Sequence, residues 1–291
     1  MNSRRLPEPS LVLPERDLAL LDLLLQHRFL TRRQIQTLYF NEHVDPRTGT
    51  RMTTRTPRAP QRRLHGLRQH GLIARRYLAA PDGRREPDPY YCLTDRGAYL
   101  ACARANLPLA ERRKRATDPF ANPLFVRHAL AAAELHCELV LAARTTPGHA
   151  CEPSWWQGEH ATSDPFVERG HKLLVRPDGY TRYRADSDIH HLLAEIDLGT
   201  MSLPRLHAKL ELYRAYARSG GWRNRYPVFP KLLLLTTSER RIASLYRQLE
   251  PPSEYVLLAS THDQLHSRGP LATVWAQPGH ATVRGLLEPA R

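Results

Sequence analysis

Apolar residues recur at steps of three and four in three successive stretches of the first seventy positions, and that spacing fixes helices rather than strands there. From Glu15, "ERDLALLDLLLQHRFL" puts Leu18, Leu21, Leu24, Leu25 and Phe29 near one helical face. Thr31 is positioned to cap a second helix, "TRRQIQTLYF", with Ile35, Leu38 and Tyr39 inward and its arginines outward. A third helix begins near Pro60 and ends at Gly71, with Leu64 and Leu67 facing in and Arg62, Arg63, His65 and Arg68 largely facing out. "LIARRYL" and "PYYCLT" then read as two strands joined across "APDGRREPD", where Asp82-Gly83 carries hairpin-turn chemistry. A short helix, "DRGAYLACARA", follows. Three helices and a hairpin make a winged helix-turn-helix over residues 1–104.

Charge follows the same division. Residues 1–117 hold 23 Arg and Lys against 11 Asp and Glu, so nearly the whole net charge of +14 belongs to the first part of the chain. A basic segment of this kind binds a polyanion by releasing condensed counterions, which makes double-stranded DNA the expected partner. In a helix-turn-helix the third helix enters the major groove, so Arg62, Arg63, His65 and Arg68 are the candidates for base contact. Arg75, Arg76, Arg84 and Arg85 on the hairpin suit phosphate or minor-groove contact. Two features depart from the simple motif. Residues 41–59 form a long basic insertion where a tight turn is usual, and Gly66 sits in mid-helix at a cost of about 1 kcal/mol relative to alanine. Close approach of another surface would offset that cost.

Residues 105–123 combine prolines with a basic run and show no sustained period, which marks a linker. From 124 to 291 the pattern alternates. The helix "LFVRHALAAAELHCELVLAAR" leads into the strands "ACEPSWWQGE", "KLLVRPDGY" and "HHLLAEIDL", then a helix over 203–218, the strand "KLLLLTT", the helix "ERRIASLYRQL" and the strand "YVLLAS". This order favours an α/β sheet with helical cover. Cys92, Cys102, Cys137 and Cys151 show no C-x-x-C spacing, so neither a zinc knuckle nor a disulfide framework is indicated and a cytoplasmic location is expected. The first ten residues lack a signal-peptide core and no apolar run spans a bilayer, so no membrane role is expected.

The acidic residues of "LLAEIDLGT" raise a different chemistry. Side chains alternate along a strand, so Glu195 and Asp197 share one face while Leu192, Ala194, Ile196 and Leu198 form the other. Two like charges at that spacing require a cation, a proton or a basic partner. Lys209 answers that need, because Leu206, Lys209, Leu210 and Tyr213 follow helical steps and put the lysine on or beside the inward face. If strands 173–183 and 190–198 are neighbours, Asp178 approaches Glu195. Carboxylates from adjacent strands plus a lysine are the parts that bind Mg²⁺ or Mn²⁺ and polarise a scissile phosphate. Bland readings suit the other candidates: Glu134 as a solvent-facing glutamate, His190 and His191 as a polar strand start, Trp155 and Trp156 as structural aromatics, Asp186 and Asp188 as turn residues.

The motifs "RPD" and "AEID", in this order of elements, resemble the restriction-endonuclease-like fold with its PD-(D/E)xK motif. More specifically, the basic winged helix followed by "RHALAAAEL", "RPDGY", "EIDLGT" and "KLELYRAY" resembles the replication-relaxation family of plasmids and mobile elements, over most of residues 15–260. That resemblance implies a DNA-binding protein of mobile-element replication and relaxation, working with a relaxase, replication initiator or other nucleoprotein component. A homodimer is compatible with it. The nuclease motif matches at Asp178 and Glu195, but Asp197 stands where its lysine belongs, so the implied catalytic set is Asp178, Glu195, Asp197 and Lys209, with the three acids as metal ligands. A metal-dependent endonuclease or nickase is therefore the second reading, and a winged-helix transcriptional regulator the third.

Overall fold

The computed structural model describes residues 13–40, 42–44, 51–53, 58–78, 86, 88–108 and 122–288. The chain is mixed α/β, with helices set against several separate sheets. Its elements in order are α1 (Glu15–His27), β1 (Leu30–Thr31), α2 (Arg32–Tyr39), β2 (Glu42–Val44), β3 (Arg51–Thr53), α3 (Arg58–Gln69), β4 (Ile73–Arg76), β5 (Tyr90–Leu93) and α4 (Asp95–Arg104). Then follow α5 (Pro123–Thr145), β6 (His149–Ala150), β7 (Gln157–Gly158), α6 (Glu159–Thr162), β8 (Asp164–Glu168), β9 (His171–Val175), β10 (Gly179–Ala185) and β11 (Asp188–Asp197). The chain ends with α7 (Leu203–Ser219), β12 (Lys231–Thr236), α8 (Glu239–Tyr246), β13 (Leu257–Thr261) and α9 (His262–Arg268).

The first helices form where the apolar steps place them. Thr31 caps α2 through a reciprocal pair with Gln34, which satisfies two of the free N–H groups at the helix start. The α3 helix begins two residues before the expected Pro60 and ends two before Gly71, with Leu64 and Leu67 buried. Sequence patterning misses β1, whose two residues are too short for alternation to register; Leu30 and Thr31 pair with Tyr91 and Tyr90, giving the sheet order β1-β5-β4. The turn at Asp82-Gly83, together with Arg84 and Arg85, lies outside the described residues, as does most of the expected linker. Within the insertion, residues 42–44 and 51–53 form an antiparallel pair.

A 6-stranded sheet organises the rest. Its order is β13-β12-β11-β10-β6, with β7 also pairing β10. The β10–β11 pair is antiparallel, while β11, β12 and β13 run parallel, connected by α7 and α8. Two expected strands are divided. Proline cannot donate to a ladder, so Pro153 starts a short 3₁₀ turn that separates β6 from β7. Pro177 likewise separates β9, paired with β8 in its own hairpin, from β10 in the main sheet.

Both faces of the sheet are covered. Leu192, Ala194 and Ile196 of β11, with Leu233 and Leu235 of β12, meet α5; the same apolar cluster continues through α5 into Leu20, Leu24, Ile35 and Leu38 of α1 and α2. The first part of the chain and the sheet therefore share one core through α5. On the opposite face Leu193, Leu232 and Leu234 pack with Leu206, Leu210 and Tyr213 of α7. Among the described residues no helix is long and apolar enough to cross a membrane.

Candidate functional site

Two surfaces collect the residues singled out in the sequence. The first is a groove of about 680 Å³ between α3 and the β4–β5 hairpin, lined by Arg62, His65 and Arg68 of α3, Arg75 of β4, and Arg32 at the start of α2. Asp88 is the one acidic residue in that lining. Arg62, His65, Arg68 and Arg75 are exposed. Arg76 is exposed as well, but strand alternation points it to the other face of β4. Arg63 is drawn inward, where its guanidinium donates to Asp17 at 3.3 Å. Gly66 has open space where a side chain would project, so nothing within the chain requires a glycine there.

The second is an acidic centre where β10 and β11 begin to diverge. The Asp178 N–H donates to the Ala194 carbonyl at 2.9 Å, and its Oδ2 accepts from the Ile196 N–H at 2.7 Å. That exchange fixes the carboxylate beside Glu195. Lys209 reaches Glu195 from α7 as an ion pair, and the Tyr213 hydroxyl donates to the other Glu195 oxygen. Lys209 and Tyr213 stand one turn apart, so the single helix face that contacts Glu195 supplies both.

His128 completes the group from α5. Its Nε2 donates to the Ile196 carbonyl at 2.9 Å and stands 3.4 Å from Asp178 Oδ2. The imidazole thus lies between a strand carbonyl and a carboxylate, two hard oxygens that also suit a divalent cation. Sequence reasoning missed His128, although a signal existed: it lies four residues before Ala132 and eight before His136, at the helical steps that place all three on one side of α5.

The electrostatics follow from one ammonium facing two buried carboxyls. Burial pushes Asp178 up to about 6, with Lys209 opposing. Burial and the neighbouring Asp178 push Glu195 up to about 8. Lys209 is held above its ordinary range by the two acids, despite its own burial. Burial lowers His128. A cavity of about 480 Å³ opens onto Asp178, lined also by His128, Glu159, His160, Arg176, Arg28 and His27. Trp156 forms one wall and packs so closely on Gly179 that a Cβ there would stand 2.1 Å from its ring. Trp155, by contrast, has Arg182 over its ring.

Asp197 does not join this group. It is 4% exposed and its oxygens are taken by Arg241 of α8, the Thr236 hydroxyl at 3.0 Å and the Gly199 N–H at 3.1 Å. Its charge ties β11 to β12 and α8. The structure therefore brings together Asp178, Glu195 and Lys209 and sends Asp197 to a separate network; the residues able to hold a metal here are Asp178, Glu195 and the Ile196 carbonyl. No curated protein and no solved structure matches the chain. A replication-relaxation profile matches residues 21–232, more than half of the chain and a span that takes in both the groove and the acidic centre, so the chain belongs to the replication-relaxation family.

Proposed function

We propose that this protein binds double-stranded DNA through the groove between α3 and the β4–β5 hairpin, and acts in replication or relaxation of a plasmid or other mobile element. The order helix, strand, helix, inserted β2–β3 pair, helix and hairpin is read as a winged helix whose third helix enters the major groove. One observation carries the reading: Arg32, Arg62, Arg68 and Arg75 converge from three elements on one open concavity. Scattered surface charge would not do so. The testing experiment is a gel shift with duplex DNA at low salt. Retarded complexes that dissociate steeply as salt rises support the proposal, and no retardation at micromolar protein removes it.

Gly66 gives a sharper check. Gly66→Ala is expected to stabilise α3 by about 1 kcal/mol, because the space around it is open. If DNA backbone approaches that helix face, the same variant binds duplex several-fold more weakly. Thermal melting and anisotropy on one preparation separate the two effects.

A second reading rests on the acidic centre. Asp178, Glu195 and the Ile196 carbonyl form an oxygen set suited to Mg²⁺ or Mn²⁺, and Lys209 stands beside it where it can orient a water or neutralise a phosphate oxygen. On this reading the protein nicks or cleaves DNA, and the lysine absent from position 197 is supplied by α7. Supercoiled plasmid incubated with protein and either metal is the test; unchanged topology counts against it.

A further inference from the structure

Away from both sites, two helices that pack on each other present metal-ligand side chains at one-turn spacing. On α5 these are Glu134 and Glu138; on α9 they are His262 and His266. Residues four apart share a helix face. The ligand atoms of Glu134, Glu138 and His266 lie within 4.8 Å of one another. His266 Nδ1 stands 3.2 Å from Glu138 Oε1, and Glu134 is steadied by the Gln34 side-chain amide at 3.0 Å. His262 adds an independent observation: its Nε2 is buried and has no hydrogen-bond partner among the described residues. Buried ring nitrogens are ordinarily paired, and the charged groups that act on this ring are Glu134, Asp263 and His128, so it borders the cluster on its Glu134 side.

We propose that Glu134, Glu138 and His266 bind a transition-metal ion of the Zn²⁺ class, with the fourth position left to water. Mixed imidazole and carboxylate donors suit Zn²⁺, whereas Mg²⁺ takes oxygen alone. Zinc–ligand bonds of about 2.0–2.2 Å set tetrahedral donors about 3.3 Å apart, a contraction that side-chain rotation supplies on the exposed His266. An opening of about 260 Å³ lined by Glu138, Thr145, His266 and Arg268 provides the entry path. The bound ion would fasten α9 to α5 and, through the Glu134–Gln34 contact, to the first turn of α2.

The test uses the full chain, stripped with a chelator and titrated with Zn²⁺ or Co²⁺ in excess Mg²⁺, which occupies oxygen-only sites. A single equivalent is expected to bind, Co²⁺ giving the strong visible bands of a low-coordinate ion. His266→Ala and Glu138→Gln are each expected to weaken binding at least about tenfold, while the Asp178→Asn/Glu195→Gln double variant binds as the parent does. His266 is 55% exposed, so its replacement leaves packing intact, and an unchanged melting temperature without metal checks this. Equal affinity in parent and His266→Ala, or a loss seen only in the double variant, overturns the proposal.

Discussion

Reversing the charge of Arg68 and Arg75 together, as Arg68→Glu/Arg75→Glu, is expected to weaken duplex binding by roughly two to four orders of magnitude. An arginine that contacts DNA contributes about 1–3 kcal/mol, and replacing two of them with like charges brings the loss to about 3–6 kcal/mol, each 1.4 kcal/mol being about tenfold. Both side chains are exposed at the groove, Arg75 resting over the Tyr77 ring, so stability should change by no more than about 0.5 kcal/mol. Removing two cations from the interface should also flatten the plot of log affinity against log salt by about two. Fluorescence anisotropy over a salt series reads both quantities. Affinity within twofold of the parent at every salt concentration would remove the groove from the interface. Arg63→Ala is the useful contrast: its partner is Asp17, 10% exposed, so its loss belongs to the docking of α3 on α1 and should appear in stability first.

The sequence made the main geometry legible where a regular period carried it. Three-and-four steps located α1, α2 and α3, and the same steps put Lys209 and Tyr213 on the face of α7 that reaches Glu195. Strand alternation placed Glu195 and Asp197 on one side of β11. What it could not separate was their fates, because Arg241, which takes Asp197, arrives from α8 after a parallel crossover 44 residues downstream. Nothing local to "AEID" announces that partner. The expected strand through "KLLVRPDGY" failed for a local reason, since Pro177 cannot donate to a ladder and the chain changes sheets there. His128 was harder still. It is one imidazole on an otherwise ordinary helix, and its meaning comes from the carboxylate that packing brings opposite.

Asp178→Asn is expected to make the metal-free protein more stable near pH 7.5 while abolishing any metal-dependent nicking. Asp178 has its pKa pushed from 3.8 up to about 6 by burial. The folded chain therefore binds more protons than the unfolded chain between those values, and stability that is full below the lower one is lost as pH rises through the upper. Glu195, pushed from 4.5 up to about 8, acts with the same sign and extends the decline. Asparagine retains an oxygen for the Ile196 N–H but carries no charge, so the variant should gain on the order of 2–3 kcal/mol at pH 7.5 and converge with the parent near pH 4. Millimolar Mg²⁺ or Mn²⁺ should reverse the ranking at pH 7.5, because a cation held by ionised Asp178 stabilises only the parent. Urea melts across pH, with and without metal, resolve these cases. A variant less stable than the parent by the same margin at every pH would reduce Asp178 to a clamp between β10 and β11, and a parent indifferent to Mg²⁺ and Mn²⁺ would leave Lys209 as the sole cation that this acidic pair was built to hold.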